Sequence, residues 1–538
     1  MGFYMMDMTE NLLGAIDAWG EVLGAAYILK SPDSIIARST ATFAIHQKIP
    51  ALIRPGTLAE IQECLRIANR FKTPVYPISS GKNWGYGSAV PVETGCVIMD
   101  LSRLNRIVDF NERLGYVTLE PGVTQGQLFR FLKDRGSRLW MDATGSSMEC
   151  SVIGNTVERG FGHTPYGDHF ASVCGMEVVL PCGDCFCTGF GRFPNSKAAS
   201  VFRWGVGPYI DGLFTQSNLG VVTKMTVWLM PAPEYFQAFN FSVAEDRQLE
   251  AVIEALRPLR LNGTLKSAIH IGNDYKALSA IRQYPWEKTG NRSPLPAAVM
   301  REFSSTMNFG AWNSFGGLYG SRGEVAAGRN QLIKALKGKV KTLRFFDDRK
   351  LRWAAAFEKP YRWLTGKSLG EKLKLFGSVY GLMQGIPTET MLASTYWRKQ
   401  RPVPATMNPD TDRCGLIWCA PVLPTDPIHV RAVLDIVATV FSRYPFEPAI
   451  SMTMVTERSL SSIISISYDR EVPGEDGCAM ACYQELFESL MAAGYYPYRL
   501  GIQSMGQLKG EDPCHKKMLQ TLKKALDPNN ILAPGRYE

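Results

Sequence analysis

The sequence predicts an α+β protein of two or three domains. Three observations carry this expectation. Short extended runs and amphipathic helices alternate irregularly, without the long strand–helix series of a doubly wound sheet. The chain has 538 residues, more than one ordinary domain holds. Glycine-rich polar stretches sit between core-like runs, where the backbone is expected to lie close to something else, often a ligand. A content of 45% hydrophobic and 20% charged residues suits a soluble globular chain with large cores.

Residues 9–26 read as an amphipathic helix, with Leu12, Leu13, Ile16, Trp19 and Leu23 at helical spacing. Asp7, Glu10, Asp17 and Glu21 interrupt this region and no basic segment precedes it, so a secretory signal is not expected. Residues 50–55 suggest a strand. Thr57 then caps a helix, with Glu60 completing a capping box and Leu58, Ile61, Leu65 and Ala68 turned inward. Strands follow at 73–78, 96–101 and 115–121, and a helix at 125–135. Residues 175–190 read as a hairpin turning at Gly183-Asp184. Val221–Met230 is a strong strand, and Pro231-Ala-Pro233 marks a boundary.

Between the strands at 73–78 and 96–101 lies Pro77-Ile-Ser-Ser-Gly-Lys-Asn-Trp-Gly-Tyr-Gly-Ser-Ala-Val-Pro91. Its glycines permit positive φ, and successive exposed N–H groups in such a turn form an anion-binding nest. Serine hydroxyls and Lys82 would add donors. The loop reads as a diphosphate cradle or as a flexible surface loop, and composition alone leaves both open. It fits neither the Walker loop nor GxGxxG. Asp142–Ser147 and Gly154–His169 are similarly rich in glycine. His163 and His169 within them read as structural or substrate-near rather than as metal ligands.

Cys182, Cys185 and Cys187 form the one cysteine cluster. No further Cys or His pair lies near enough in sequence to complete a tetrahedral set, so a hairpin is preferred to a metal site. Twelve scattered cysteines suit a reducing, cytoplasmic compartment. No apolar run reaches the roughly 18 residues of a membrane span. The net charge of +9 is modest, without a lysine or arginine block, so nucleic acid is not an expected partner. It suits anionic small molecules or an acidic protein.

Six stretches, in order, resemble one family. They are Gly81-Lys-Asn-Trp-Gly-Tyr-Gly-Ser88, Leu119-Glu-Pro-Gly-Val-Thr124, Gly154-Asn-Thr-Val-Glu-Arg-Gly160, Thr164-Pro-Tyr-Gly-Asp-His169, Ser217-Asn-Leu-Gly-Val-Val-Thr-Lys224 and Leu532-Ala-Pro-Gly-Arg536. Together they resemble the vanillyl-alcohol oxidase family, on the branch that contains 4-cresol dehydrogenase and eugenol oxidase. The resemblance runs from about residue 50 onward. It implies a two-subdomain FAD-binding domain of the PCMH type at 1–234, an α+β cap over the flavin at 235–495, and a segment at 496–538 that returns to the FAD domain. It favours the cradle reading. The FAD-binding residues it implies are Ser79, Ser80, Gly81, Lys82, Asn83, Gly85, Tyr86, Gly87, Ser88, Pro121, Gly122, Ser146, Ser147, Gly154, Asn155, Glu158, Gly160, Gly162, Val222 and Arg536.

In the cap, helices are expected at 250–257, 329–337, 430–443 and 478–493, the last carrying a core Cys482. Strands are expected at 414–423, 449–455 and 459–468. The basic aromatic stretch Asp347–Gly370, with Trp353, Phe357, Tyr361 and Trp363, reads as a half-buried helix face.

Gly494-Tyr-Tyr-Pro-Tyr-Arg499 resembles the family segment whose Tyr-Arg pair binds a phenolic oxygen. Carried over, the pair is Tyr498 and Arg499, with Tyr86 as the third member. The resemblance implies that these three hold a phenolate and ease hydride loss from its para benzylic carbon to the flavin. Members with a cap-tethered flavin carry His or Tyr just before the strand matching Leu416–Pro421. Asp412-Arg-Cys-Gly-Leu416 has neither, so the FAD is expected to be dissociable, with Cys414 as an alternative attachment point. Ser fills the Gly145–Ser147 position where the oxidase branch has Asp. Thr456-Glu-Arg458 resembles the segment that carries the active-site glutamate of the 4-cresol dehydrogenase branch, which implies that Glu457 serves proton transfer and water addition; the other reading is an exposed Glu457 paired with Arg458. The expected reaction is oxidation or hydroxylation of a para-substituted phenol. Molecular oxygen or a cytochrome-like partner would accept the electrons, and the chain is expected to form a homodimer. The rivals are an oxidase of the same fold acting on a non-phenolic alcohol or natural-product intermediate, with Tyr498 as base, and a non-catalytic flavin-binding protein.

Overall fold

The structure, a computed structural model, describes residues 10–365 and 370–538. Thr9 of the expected first helix and residues 366–369 of the basic aromatic stretch lie outside the described residues, as do the side chains of Tyr361 and Trp363.

A four-stranded sheet forms first, in the order Ile28–Leu29, Leu52–Ile53, Val97–Asp100, Val75–Ile78. Its last three strands run parallel. Parallel strands need cover on both faces, which explains the unbroken apolar runs. Helices Glu10–Leu23 and Leu58–Phe71 cover one face, with Trp19, Ile61 and Leu65 fully buried. The Thr57 hydroxyl caps the second helix by accepting from Glu60 N–H at 3.2 Å. The expected capping box is shifted by one residue, because the Glu60 carboxylate takes the Gly56 N–H, at 2.5 Å, while also lying near Arg103.

A five-stranded antiparallel sheet follows, ordered Ile107–Asn111, Tyr116–Leu119, Val221–Trp228, Val173–Val179, Cys185–Cys187. The cysteine cluster is therefore part of a hairpin, turned by Gly183 at φ +90°. Thr124 caps the helix Gln125–Asp134, which packs Leu128 and Leu132 into this sheet's core.

The largest sheet is antiparallel throughout. Its order is Thr342–Phe346, Tyr235–Val243, Trp312–Gly320, His270–Asn273, Ala449–Thr453, Ser459–Asp469, Cys414–Cys419. Val422–Pro424 pairs with the start of the long Ser459–Asp469 strand. Helices Leu249–Leu261, Arg322–Leu336, Pro427–Phe441 and Glu475–Ala492 bury Ile253, Leu332, Val433 and Cys482 in its core. The helix Asp348–Thr365 departs from expectation. Trp353 and Phe357 stack on each other at 4.1 Å between centroids yet remain 65% and 48% exposed, so this face is not half-buried.

Past the large sheet the chain returns to the first. Leu532 bridges Val75 in parallel, and Val75 N–H donates to Ile531 O at 2.7 Å.

Candidate active site

A cavity of about 360 Å³ lies where all these segments meet. The glycine loop enters it directly after strand Val75–Ile78. Gly81, Gly85 and Gly87 hold φ of +67°, +78° and +117°, which side chains avoid. The loop is clipped from outside by Asp410, which accepts from Trp84 Nε1 at 3.0 Å and Ser88 Oγ at 2.7 Å. Burial pushes the Asp410 carboxyl up to about 6, against these two donors, which pull it down. An unfolded Asp titrates near ~3.9, so the native state takes up the proton first. This contribution to stability therefore falls as pH rises from about 4 to about 6. We expect the stability gap between wild type and Asp410→Asn to change across that window and to be flat on either side, as read by denaturant titration at several pH values.

Tyr86 is stitched to distant segments on both sides. Gly85 O accepts from Trp418 N–H at 3.2 Å, and Tyr86 O accepts from Ile502 N–H at 2.9 Å. Its ring meets Trp418 edge-on at 5.5 Å. The Arg499 guanidinium lies over the Tyr86 ring, 4.7 Å from its centroid. Arg499 also donates to Asn83 Oδ1 of the glycine loop and lies 3.3 Å from Glu158 Oε2. Tyr498 is fixed by its backbone, which receives Gln216 Nε2 at 2.8 Å and donates to Ala420 O at 3.1 Å. Its ring lies 5.7 Å from Phe161. Among the described residues the buried Tyr86 hydroxyl has no hydrogen-bond partner of ordinary geometry, with the Tyr498 hydroxyl nearby. Burial holds its phenol well above the ordinary range, the nearby Tyr498 hydroxyl adds to this, and Arg499 opposes it. The three predicted phenol-site residues thus line one cavity.

Most of the predicted FAD residues line the same cavity: Ser79, Ser80, Gly81, Lys82, Asn83, Tyr86, Ser88, Pro121, Ser146, Gly154, Asn155, Glu158, Gly160, Val222 and Arg536. The wall they form fits a dinucleotide. A side chain on Gly154 would collide with Ser79 Oγ, and one on Gly160 with Asn155. Lys82 lies 5.3 Å over the Trp84 ring and makes no direct ion pair among the described residues, although its charge acts on Asp410, so it remains available to an anion. Glu158 joins Arg536, Arg499 and the Tyr537 hydroxyl.

Five other predicted residues are not on the wall, for packing reasons. A Cβ at Gly85 would meet the Trp418 ring at 2.9 Å, and one at Gly87 would meet Ile502 at 2.7 Å. Gly122 faces the carbonyls of Ser102 and Leu104, and Gly162 faces Asp142. Ser147 donates instead to Glu389 Oε1 at 2.9 Å. Glu457 is the clearest correction. It is 53% exposed, 4.0 Å from Arg458, on the turn between two strands of the large sheet. Cys414 is fully buried and does not line the cavity, whereas Trp418 on the same strand does. Burial pushes its thiol well up, away from nucleophilic use.

Of the two histidines in the glycine-rich stretch, His169 lies 2.8 Å from Asp142 and 2.6 Å from Asn155 in a buried clasp. His163 lines the cavity and stacks at 4.3 Å on His270 of the large sheet. Burial lowers the pKa of both imidazoles, that of His270 strongly, which favours their neutral forms. The sequence reading missed His270, Lys276, Thr453 and Trp418, all on the wall.

Comparisons with known proteins place this geometry in context. Residues 49–189 match the family described as FAD binding domain. The chain is 46% identical to 1'-carboxy-chondrochloren decarboxylase of Chondromyces crocatus, over 98% of both chains. It is 30% identical to the flavoprotein subunit of 4-cresol dehydrogenase of Pseudomonas putida, over 97% of this chain and 94% of the relative. The crystal structure of p-cresol methylhydroxylase with substrate bound superimposes with a TM-score of 0.88 at 29% identity, covering 99% of this chain and 98% of the other. The isoeugenol complex of 4-ethylphenol oxidase from Gulosibacter chungangensis gives a TM-score of 0.88 at 26% identity, covering 98% and 97%.

Proposed function

Since the chain belongs to the vanillyl-alcohol oxidase (PCMH-type) family of FAD-dependent oxidoreductases, we propose that it removes a hydride from the benzylic carbon of a para-substituted phenol. The observation that carries this reading is the convergence of Tyr86, Tyr498 and Arg499 on one cavity. Tyr86 keeps its proton and offers an unused hydroxyl. Arg499 adds a permanent charge. Hydrogen bonds and an opposite charge favour the ionised form of a bound phenol. A phenolate pushes electron density toward its para carbon and lowers the barrier to hydride loss there. Bound FAD supplies the two-electron acceptor. Ser79–Asn83, Gly154, Gly160 and Arg536 would hold it. The oxidised substrate is a quinone methide, which adds water at the benzylic carbon or loses a proton.

A second outcome is favoured by the 46% identical relative, which is a decarboxylase. Suppose the carbon next to the benzylic carbon carries a carboxylate. After hydride loss, the bond to the carboxylate breaks and carbon dioxide leaves. The electron pair of that bond forms the side-chain double bond and restores the phenolate. The phenol site does the same work in both outcomes. Electrons would then pass to oxygen or to a cytochrome-like protein, and the rate of flavin reoxidation in air separates the two. Twelve cysteines, none paired, suit the cytoplasm. The test is anaerobic mixing of the flavin-loaded protein with 4-ethylphenol and related para-alkylphenols. Bleaching of the flavin absorbance is the expected result. An oxidised spectrum across the whole panel sinks the reading.

A further inference from the structure

Four cationic side chains line the cavity: Lys82, Lys276, Arg499 and Arg536. Arg499 and Arg536 share the Glu158 carboxylate. Lys82 belongs to the glycine loop and the dinucleotide cradle. Lys276 comes from the large sheet's side and is matched by nothing. It sits on the short helix Asp274–Ser279, directly after strand His270–Asn273. Its backbone is fixed by its N–H, which donates to Asn273 Oδ1 at 3.0 Å. Its stem crosses Gly272, where a Cβ would lie 3.2 Å from Lys276 Cγ, so the glycine leaves the stem room.

No carboxylate pairs with the Lys276 ammonium among the described residues. The adjacent Asp274 takes the Tyr275 N–H at 2.8 Å, and burial pushes its carboxyl up to about 6. His270, on the preceding strand, has its imidazole pKa lowered strongly by burial, which favours the neutral ring. Burial lowers the pKa of the Lys276 amine. The half-buried Lys276 ammonium faces the cavity without a counter-charge, which a bound anion would supply as it excludes water. One unmatched positive charge suits one negative charge, a carboxylate rather than a phosphate dianion.

We infer that Lys276 seats a carboxylate on the substrate's side chain, so that the enzyme selects para-substituted phenols that are also acids. The identity of the rest of the ligand rests on the phenol reading above. Lys276 is then a specificity-determining residue, distinct from the groups that hold the phenolic oxygen.

The experiment compares two probes that differ by the carboxyl group, 3-(4-hydroxyphenyl)propanoate and 4-ethylphenol, on flavin-loaded wild type, Lys276→Gln and Lys276→Arg. We expect Lys276→Gln to lower kcat/KM for the acid about 100-fold more than for 4-ethylphenol, the size of losing a buried charge pair. Lys276→Arg should recover part of that difference. Equal losses on both probes would overturn the inference and make Lys276 a partner of the flavin or the fold. Should wild type oxidise neither probe, the phenol reading falls. The seat is then judged by binding of 3-phenylpropanoate, followed by the flavin spectrum. Selective weakening in Lys276→Gln upholds it, and unchanged affinity overturns it.

Discussion

Arg499→Ala is expected to lower kcat/KM for a para-alkylphenol by about 10²–10³, the loss seen when one preorganised donor to a developing or resident oxyanion is removed. The guanidinium is nearly enclosed, with 10% side-chain exposure, so water cannot replace it well. It also reaches Asn83, and its loss should loosen the glycine loop's hold on Tyr86. Arg499→Lys keeps the charge without the fork and should recover only part of the rate. Tyr86→Phe removes one donor and leaves the charge, so its cost should be smaller, about 10–10². Two readouts check this: the anaerobic rate of flavin reduction, and the red-shifted absorbance of bound ligand that marks a phenolate. The red shift should vanish in Arg499→Ala. A variant that keeps both the shift and the rate would remove Arg499 from the phenol site.

Glu158→Ala should have the largest effect on stability. Its side chain is 10% exposed and joins two guanidiniums, those of Arg499 and Arg536, as well as the Tyr537 hydroxyl at 3.3 Å. Without the carboxylate, two positive charges are left together in a poorly solvated wall. Breaking a buried pair by removing one partner costs about 3–5 kcal/mol. Here the orphaned partners also line the cavity, in the proposed FAD wall and the proposed phenol site. We therefore expect a lower midpoint in denaturant, early flavin release on warming and a collapse of activity. Glu158→Gln keeps the shape and one acceptor and should fall between. A Glu158→Ala protein that retains flavin and denatures at the wild-type midpoint would show that the cluster is not held this way.

Much of the first lobe was legible because its signals are local. Thr57 and Thr124 cap the helices they precede, and the Gly183-Asp184 turn joins the expected strands. The phenol site was legible only through resemblance. Nothing near Tyr86 or Arg499 in sequence says that they face each other, because they are brought together by strand Cys414–Cys419, whose Trp418 pairs with Gly85, and by Ala420 just after it, which pairs with Tyr498. Glu457 misled for a physical reason. Thr456-Glu-Arg458 is the tip joining two antiparallel strands, and charged side chains at such a tip turn to water. Lys276 left no signal at all. Its helix has only 6 residues, and its position on the wall follows from the order of the large sheet. The strand Tyr235–Val243 was overlooked because its buried run carries little alternation.

The return of residues 531–533 to a sheet begun near residue 28, and of Arg499 to the glycine loop, has a consequence for how the protein is made. On the ribosome the early lobe emerges long before Tyr498, Arg499, Leu532 and Arg536 exist. At roughly 5–20 residues per second that delay lasts tens of seconds. Through that interval a half-built groove, with its glycine turn and apolar walls uncovered, is open to chaperones and to mispairing. If Arg536 holds the flavin as proposed, flavin capture waits for translation through Arg536, and a nascent chain stalled earlier is expected to emerge without bound flavin.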